Sequence, residues 1–433
     1  MTDTIFALAS GRLPAGIAVV RLSGPCALQV TSGLTRREVR VGRTQLADFR
    51  DANGRAIDRG LVLAFKAPHS FTGEDCAEFH LHGGKAVVSR MLAYLGELSG
   101  LRHAEAGEFI RRAFLNGKMD LLEVEAIGDL IAAETEAQRR FALDNSGSAQ
   151  SALYGSWRVR LLHARAMIEA ELDFSDEGDV PGSVADAIWS DMSALAREIT
   201  RHIESYGQAE MLRDGFRVVL VGPPNAGKSS LLNALARRDV AIVSDEPGTT
   251  RDVIEVQLDL SGYKVIVSDT AGLRDGAVGI EAKGIALTQQ RMRGADLVLL
   301  LDPVDGSVVD TPDLDVDVVR LISKADLADE SIGDGCAVSA RTGVGLDALM
   351  NLIRSRIDTQ LGCATEILPN RERQVRLFQS GLNALSIGLD DNYPLEVRAE
   401  SLRLTDDFVG RVIGAVDAED LLDAIFSQFC IGK

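Results

Sequence analysis

Residues 222–230 read "GPPNAGKSS", follow the apolar run "FRVVLV" and precede the helical run "SSLLNALARR". They satisfy GxxxxGK[ST] with Gly222, Gly227, Lys228 and Ser229. Glycines let the backbone wrap phosphates so that its N–H groups point inward at a helix N-terminus. Lys228 is placed to reach the β- and γ-phosphates as the catalytic cation, and the Ser229 hydroxyl to ligate Mg²⁺. A strand before the loop and a helix after it commit the region to an α/β fold. Apolar runs of strand length ("YKVIVSD", "ADLVLLLD", "DVVRLIS") alternate with helical stretches downstream, as in a buried, mostly parallel sheet.

Four further segments follow in order: "EPGTTRD" with Thr249 and Thr250, "DTAG" with Asp269, Thr270, Ala271 and Gly272, "SKAD" with Ser323, Lys324 and Asp326, and "SAR" with Ser339, Ala340 and Arg341. Asp326 is suited to accept from guanine N1–H and its exocyclic amine, which adenine does not offer in that pattern. Asp269 supports Mg²⁺ through water, and the Gly272 N–H senses the γ-phosphate. Together with Asn225, Ala226, Ser230 and Ser244 these residues are expected to border GTP, and the set reads as a GTPase. Two positions depart from the usual pattern. Ser323 stands where most GTPases have Asn, so weaker guanine affinity is expected. Leu273 stands where Ras-like proteins carry a water-orienting Gln, so another group has to position the water. Glu281, in the glycine-bearing segment "LRDGAVGIEAKG", reads either as that group or as a solvated charge. The Asn225 side-chain oxygen is suited to a monovalent cation.

The remainder of the chain sorts by pattern into residues 1–118, an α+β region; 119–212, helical; 213–365, the GTPase domain; and 366–433, helical again. The fold class is thus multidomain α/β, with the P-loop domain inserted into a discontinuous helical one. Net charge is −18, unevenly spread: residues 1–118 hold 16 Lys/Arg against 11 Asp/Glu, and the rest 30 against 53. An acidic surface disfavours broad nonspecific nucleic-acid binding, so any RNA contact should concentrate on a local basic surface or come through a partner. Five scattered cysteines without a CxxC pair read as a reducing cytoplasm. No secretory leader and no membrane span are expected.

The blocks "GIAVVRLSG", "SFTGEDCAEFHLHGG" (70–84), "GEFIRRAFLNGKMDLLEVEAIGDLIAAET" (107–135), the GTPase set and the terminal "CIGK" resemble the bacterial and organellar MnmE (TrmE) family of tRNA modification GTPases over essentially the whole length. The resemblance implies a K⁺ site from Asn225, Ser244, Glu246 and Thr249, with K⁺ acting where other GTPases bring an arginine finger. It also implies Mg²⁺ ligation by Ser229 and Thr250, and a water-orienting role for Glu281. A folate-binding N-terminal domain that forms a homodimer follows too, with Arg21, Glu78, Lys118 and Lys433 at the site of a 5-formyl- or methylene-tetrahydrofolate. The family's partner is the FAD-dependent MnmG, in a heterotetramer or larger complex. Together they add an aminomethyl or carboxymethylaminomethyl group at carbon 5 of the tRNA wobble uridine. "ASGRLPAG" is less glycine-rich than the family's usual segment, and Ala106 stands where Pro is common.

The tail "FCIGK" leaves two readings. Cys430 is a nucleophile toward uridine carbon 6, or the tail docks by the folate site through Lys433; a prenylation signal is excluded because the final residue is Lys. Two other functions compete with tRNA modification. One is a ribosome-assembly or translation GTPase switch, and the other a folate-dependent one-carbon transferase regulated by GTP.

Overall fold

Strict alternation in "CAEFHLHG" sets the first sheet. Ala77, Phe79 and Leu81 turn into the core, while Glu78, His80 and His82 take the other face. The computed structural model describes residues 3–145, 148–173, 183–238, 240–242, 255–269, 290–304, 316–328, 336–362, 367–414 and Gly432. The chain divides into two compact units, residues 1–128 with 406–433, and residues 129–405.

In the first unit, β1 (Thr4–Leu8), β2 (Ala15–Ser23), β3 (Gln45–Arg50), β4 (Ala56–Phe65), β5 (Cys76–Gly83) and β6 (Leu101–His103) form one sheet in the order β3-β4-β5-β2-β1-β6. Only the β1–β6 pairing is parallel. Helices α1 (Ala27–Thr35) and α2 (Lys85–Glu97) cover its apolar face around Val20, Leu22, Phe49 and Phe79. Helix α3 (Glu108–Leu115) carries the fully buried Arg112, whose guanidinium donates to Glu74 (2.9 Å), Glu108 (2.9 Å) and Asp3 (3.1 Å). Helix α4 (Leu121–Ala132) follows. Gly432 lies against the end of β1. A Cβ there would sit 2.1 Å from the Leu8 carbonyl oxygen, and φ is +100°, so only glycine fits.

In the second unit, β7 (Phe216–Val221), β8 (Glu255–Leu260), β9 (Tyr263–Asp269), β10 (Leu297–Pro303), β11 (Asp317–Ser323) and β12 (Cys336–Val338) pair in the order β12-β11-β10-β7-β9-β8. All pairings are parallel except the β8–β9 hairpin. Every leucine of β10 is buried, as expected for a central strand covered on both faces. Helices α9 (Lys228–Ala236) and α10 (Leu346–Leu361) pack Leu231, Leu235, Leu349 and Ile353 into that core.

Helices α5 (Glu136–Asp144), α6 (Ser148–Asp173), α7 (Ser183–Glu204), α8 (Tyr206–Asp214), α11 (Glu372–Gly388) and α12 (Leu395–Val412) supply the helical part. Tyr154, Trp157, His202 and Phe378 join α6, α7 and α11, with ring centroids 4.9–5.6 Å apart. Burial pushes the His202 imidazole down to about 4, so it stays neutral beside the Tyr154 hydroxyl at 2.8 Å. A Thr135–Gln138 capping box starts α5 and separates it from α4. The same helix is pinned to the β8–β9 turn: Ala137 N–H donates to Gly262 (2.9 Å), and Lys264 pairs with Glu134. Gln138 also donates to the Arg213 carbonyl (2.7 Å). Among the described residues no helix is long and apolar enough to cross a membrane.

Burial pushes the Glu108 carboxyl up, but hydrogen bonds from Arg102, the Glu105 N–H and Arg112 bring it below its ordinary 4.5. A depressed carboxyl stabilises the fold above its unfolded value, and that stability is lost as pH falls through the folded one. Calorimetry of the wild type is therefore expected to show stability holding to about pH 4.5 and declining in stronger acid. The Arg112→Met variant is expected to be destabilised by about 3 kcal/mol at neutral pH, with a flatter acid profile.

Candidate functional site

The second unit's polar residues converge at the C-terminal ends of its parallel strands. A cavity of about 790 Å³ there is lined by Asn225, Ala226, Gly227, Lys228, Ser229 and Ser230 of the loop after β7, and by Ser323, Lys324, Asp326, Ala340 and Arg341. The loop's shape follows from its glycines. Gly227 caps α9 at φ 89°, and a Cβ on Gly222 would meet the Leu301 carbonyl at 2.7 Å. Asn225 is exposed and left-handed at φ 64°, a conformation that asparagine tolerates better than most residues.

Lys228 is buried and donates to the carbonyls of Gly222 (2.9 Å) and Pro223 (3.0 Å), which holds its ammonium across the loop. Ser229 Oγ lies 2.7 Å from Asp269 Oδ2, the last residue of β9, so a hydroxyl and a carboxylate meet where a hard cation would be bound. At the other end of the cavity, Ser339 is fully buried and donates to Asp326 Oδ1 (2.6 Å). That bond, with a smaller contribution from Arg341, holds the Asp326 carboxyl below its usual range and keeps it an acceptor at neutral pH. Lys324 takes a left-handed conformation (φ 58°) between Ser323 and Asp326.

Ser323 does something its motif position does not reveal. Its buried hydroxyl donates to the Ala226 carbonyl at 2.7 Å, tying the base end of the cavity to the phosphate loop. The shorter side chain still reaches this bridge. Leu327, just after β11, and Val338, the last residue of β12, also line the cavity and carry no motif signal. Ser244, Glu246, Thr249, Thr250, Thr270, Ala271, Gly272, Leu273 and Glu281 lie outside the described residues, as do Cys430 and Lys433.

A second cavity, of about 410 Å³, lies in the first unit and brings Arg21, Glu78 and Lys118 together with Phe65, His69, Ser70, Phe71 and Cys76. Arg21 and Glu78 are directly opposed across β2 and β5. Register thus makes the ion pair: Arg21 Nε and Nη2 reach Glu78 Oε1 at 3.0 and 2.9 Å. The Phe71 ring lies 5.1 Å from the Arg21 guanidinium carbon, and Lys118 Nζ donates to the Pro68 carbonyl at 3.0 Å. Phe71 and His69 had no motif to announce them; their place depends on the fold of the segment before β5. The cavity offers an aromatic wall, one carboxylate and two cations, a donor set that fits a flat, amine-rich heterocycle carrying acidic groups.

Residues 4–118 match the family described as GTP-binding protein TrmE N-terminus, and residues 121–430 match the MnmE helical domain. The tRNA modification GTPase MnmE of Chelativorans sp. (strain BNC1) is 54% identical over 434 residues, covering 100% of this chain and 98% of that protein. The protein of the same description from Brucella ovis is 53% identical with the same coverage. The G domain of the T. maritima FeoB iron transporter is 23% identical, covering 33% of this chain and 98% of that one at a TM-score of 0.25.

Ser323→Ala would leave the Ala226 carbonyl without its buried donor, a loss of about 1–3 kcal/mol. Fluorescent-nucleotide titration is expected to show GTP and GDP binding weakened roughly tenfold or more. Unchanged affinity would remove the bridge from the account of the site.

Proposed function

Because this chain belongs to the MnmE family of tRNA modification GTPases, we propose that its GTP hydrolysis drives the modification of the tRNA wobble uridine at carbon 5, carried out jointly with a flavin-dependent partner of the MnmG kind. The observation that carries this reading is the coexistence in one chain of two built cavities. One has a phosphate loop and a guanine-reading carboxylate; the other has the Arg21–Glu78 pair, Lys118 and an aromatic wall.

GTP is held by the backbone of residues 225–230, with Asp326 accepting from the guanine edge and Ser323 joining the two ends. Lys228 shifts from the Gly222 and Pro223 carbonyls onto phosphate oxygens and neutralises charge as the bond to the γ-phosphoryl group breaks. Ser229 and Thr250 would hold Mg²⁺, and Asn225 with Ser244, Glu246 and Thr249 would hold K⁺; these ions would supply positive charge at the phosphates. Glu281 orients the attacking water in place of the glutamine that Leu273 replaces.

In the other cavity, Glu78 accepts hydrogen bonds from a pterin edge, Arg21 fixes Glu78 and offers its remaining donors, and Lys118 holds acidic groups. A tetrahydrofolate derivative bound there supplies the one-carbon unit. In this reading Lys433 contributes to the same cavity; its neighbour Gly432 is seated against the Leu8 carbonyl. The chain acts in the cytoplasm as a homodimer through its N-terminal domain, and MnmG supplies much of the tRNA contact.

The test is genetic and chemical. In cells lacking this gene, wild type is expected to restore the modified wobble uridine, read by mass spectrometry of digested tRNA. If folded wild type fails to restore it, a GTPase switch without modification chemistry takes over. Cys430→Ser separates a thiol requirement from a docking tail in the same assay. For the ion site, Asn225→Ala is expected to bind nucleotide but lose stimulation by K⁺ over Na⁺; equal wild-type turnover in the two salts would sink that assignment.

A further inference from the structure

The N-terminal region holds 13 Arg but only 3 Lys, within a chain of net charge −18. Some exposed arginines elsewhere are spent on neighbours, as Arg376 on Glu372, Arg403 on Glu400 and Arg139 on Glu136. The connection from α1 to β3 differs. It carries Arg36, Arg37, Arg40 and Arg43 against a single Glu38, all exposed, and none of these arginines has an ion pair among the described residues.

The backbone beneath them is fixed. Val39 packs on the core of the sheet, Gly42 N–H donates to the Ala64 carbonyl (2.8 Å), and Gln45 Nε2 donates to the carbonyls of Arg40 (3.1 Å) and Arg43 (3.4 Å). Arg36 is left-handed (φ 49°) at the end of α1, where glycine is the usual residue, and its guanidinium lies over the β3–β4 turn at Gly54. The acid at that turn, Asp51, is buried and neutralised by Arg90 at 3.0 Å, while Arg55 beside it is exposed. The arginines therefore lie in the connection that leads into the outer edge strand β3, over at most about 25 Å of chain.

We propose that this edge is a docking surface for the phosphate backbone of RNA, which under the function proposed above, on which the choice of tRNA rests, is the tRNA itself. Guanidinium forks match phosphate oxygens and stack on exposed bases in a way that ammonium groups do not. A pinned loop presents them without the ordering loss that a mobile one would suffer. The surface supplies the local basic region that an otherwise acidic chain needs to approach a polyanion.

Binding of total tRNA to the full chain is measured by fluorescence anisotropy from 50 to 200 mM salt for wild type, for Arg37→Ala/Arg40→Ala/Arg43→Ala, and for the same three positions changed to Lys. GTP hydrolysis checks folding, since none of these residues borders the nucleotide cavity. The alanine variant is expected to bind at least tenfold more weakly and to lose about 2 to 3 from the slope of log affinity against log salt. The lysine variant is expected to recover most of the slope. An Arg376→Ala/Arg403→Ala control is expected to match wild type.

Equal affinity and slope for wild type and the alanine variant would overturn the proposal, as would absence of tRNA binding by wild type. Loss of binding to anionic vesicles with RNA binding untouched would overturn it in favour of a membrane. Wild type that binds tRNA through this edge yet fails to restore the modified uridine in cells would support the surface while removing the modification function.

Discussion

Parallel pairing of β7 with β9 on one side and β10 on the other is the constraint on which the nucleotide site depends. Because these strands and β11 run the same way, the loops leaving each of them emerge at one edge of the sheet. Asp269 ends β9, Ser323 ends β11, and the phosphate loop begins where β7 stops. Two hydroxyl bonds then tie that edge together: Ser229 to Asp269 at the end of β9, and Ser323 to Ala226 between the base and phosphate ends. The buried leucines of the sheet set the positions to which those short bonds hold the loops.

The first unit uses charge in three different settings. Arg112 is sealed inside, where its three carboxylate partners offset the desolvation that would otherwise expel it. Arg21 and Glu78 are half-buried in a cavity wall, placed opposite one another by register alone. The arginines of residues 36–43 are exposed to water and form no ion pair among the described residues. Composition treats these as one population of cations, whereas burial and pairing separate them into a structural brace, a cavity wall and an exposed rim.

Much of the nucleotide site was legible in advance because its residues are local: a loop whose shape follows from Gly222 and Gly227, and acceptors that follow apolar strands. The alternation of β5 likewise announced which side of the sheet Glu78 would take. What was not legible depends on partners distant in sequence. Nothing in "SKAD" says that Ser323 will bond to Ala226, 97 positions earlier. Nothing near Phe71 says that its ring will face Arg21. Arg112 sits in "RRAFLNGK" beside Arg111 and has no local mark of its burial. Helical periodicity alone does not divide α4 from α5; the structure shows the break at a Thr135–Gln138 capping box.

The β8–β9 hairpin touches the helical part at its far turn. The chain enters it directly from residues 243–254 and leaves it into residues 270–289, which bear the segments expected at the phosphates. Its far turn is clamped to α5 through Gly262 and Lys264. Two paired strands resist stretching along their length far better than they resist tilting. The end of β9 at Asp269 and the start of α5 are thus joined through one hairpin and through hydrogen bonds already in place.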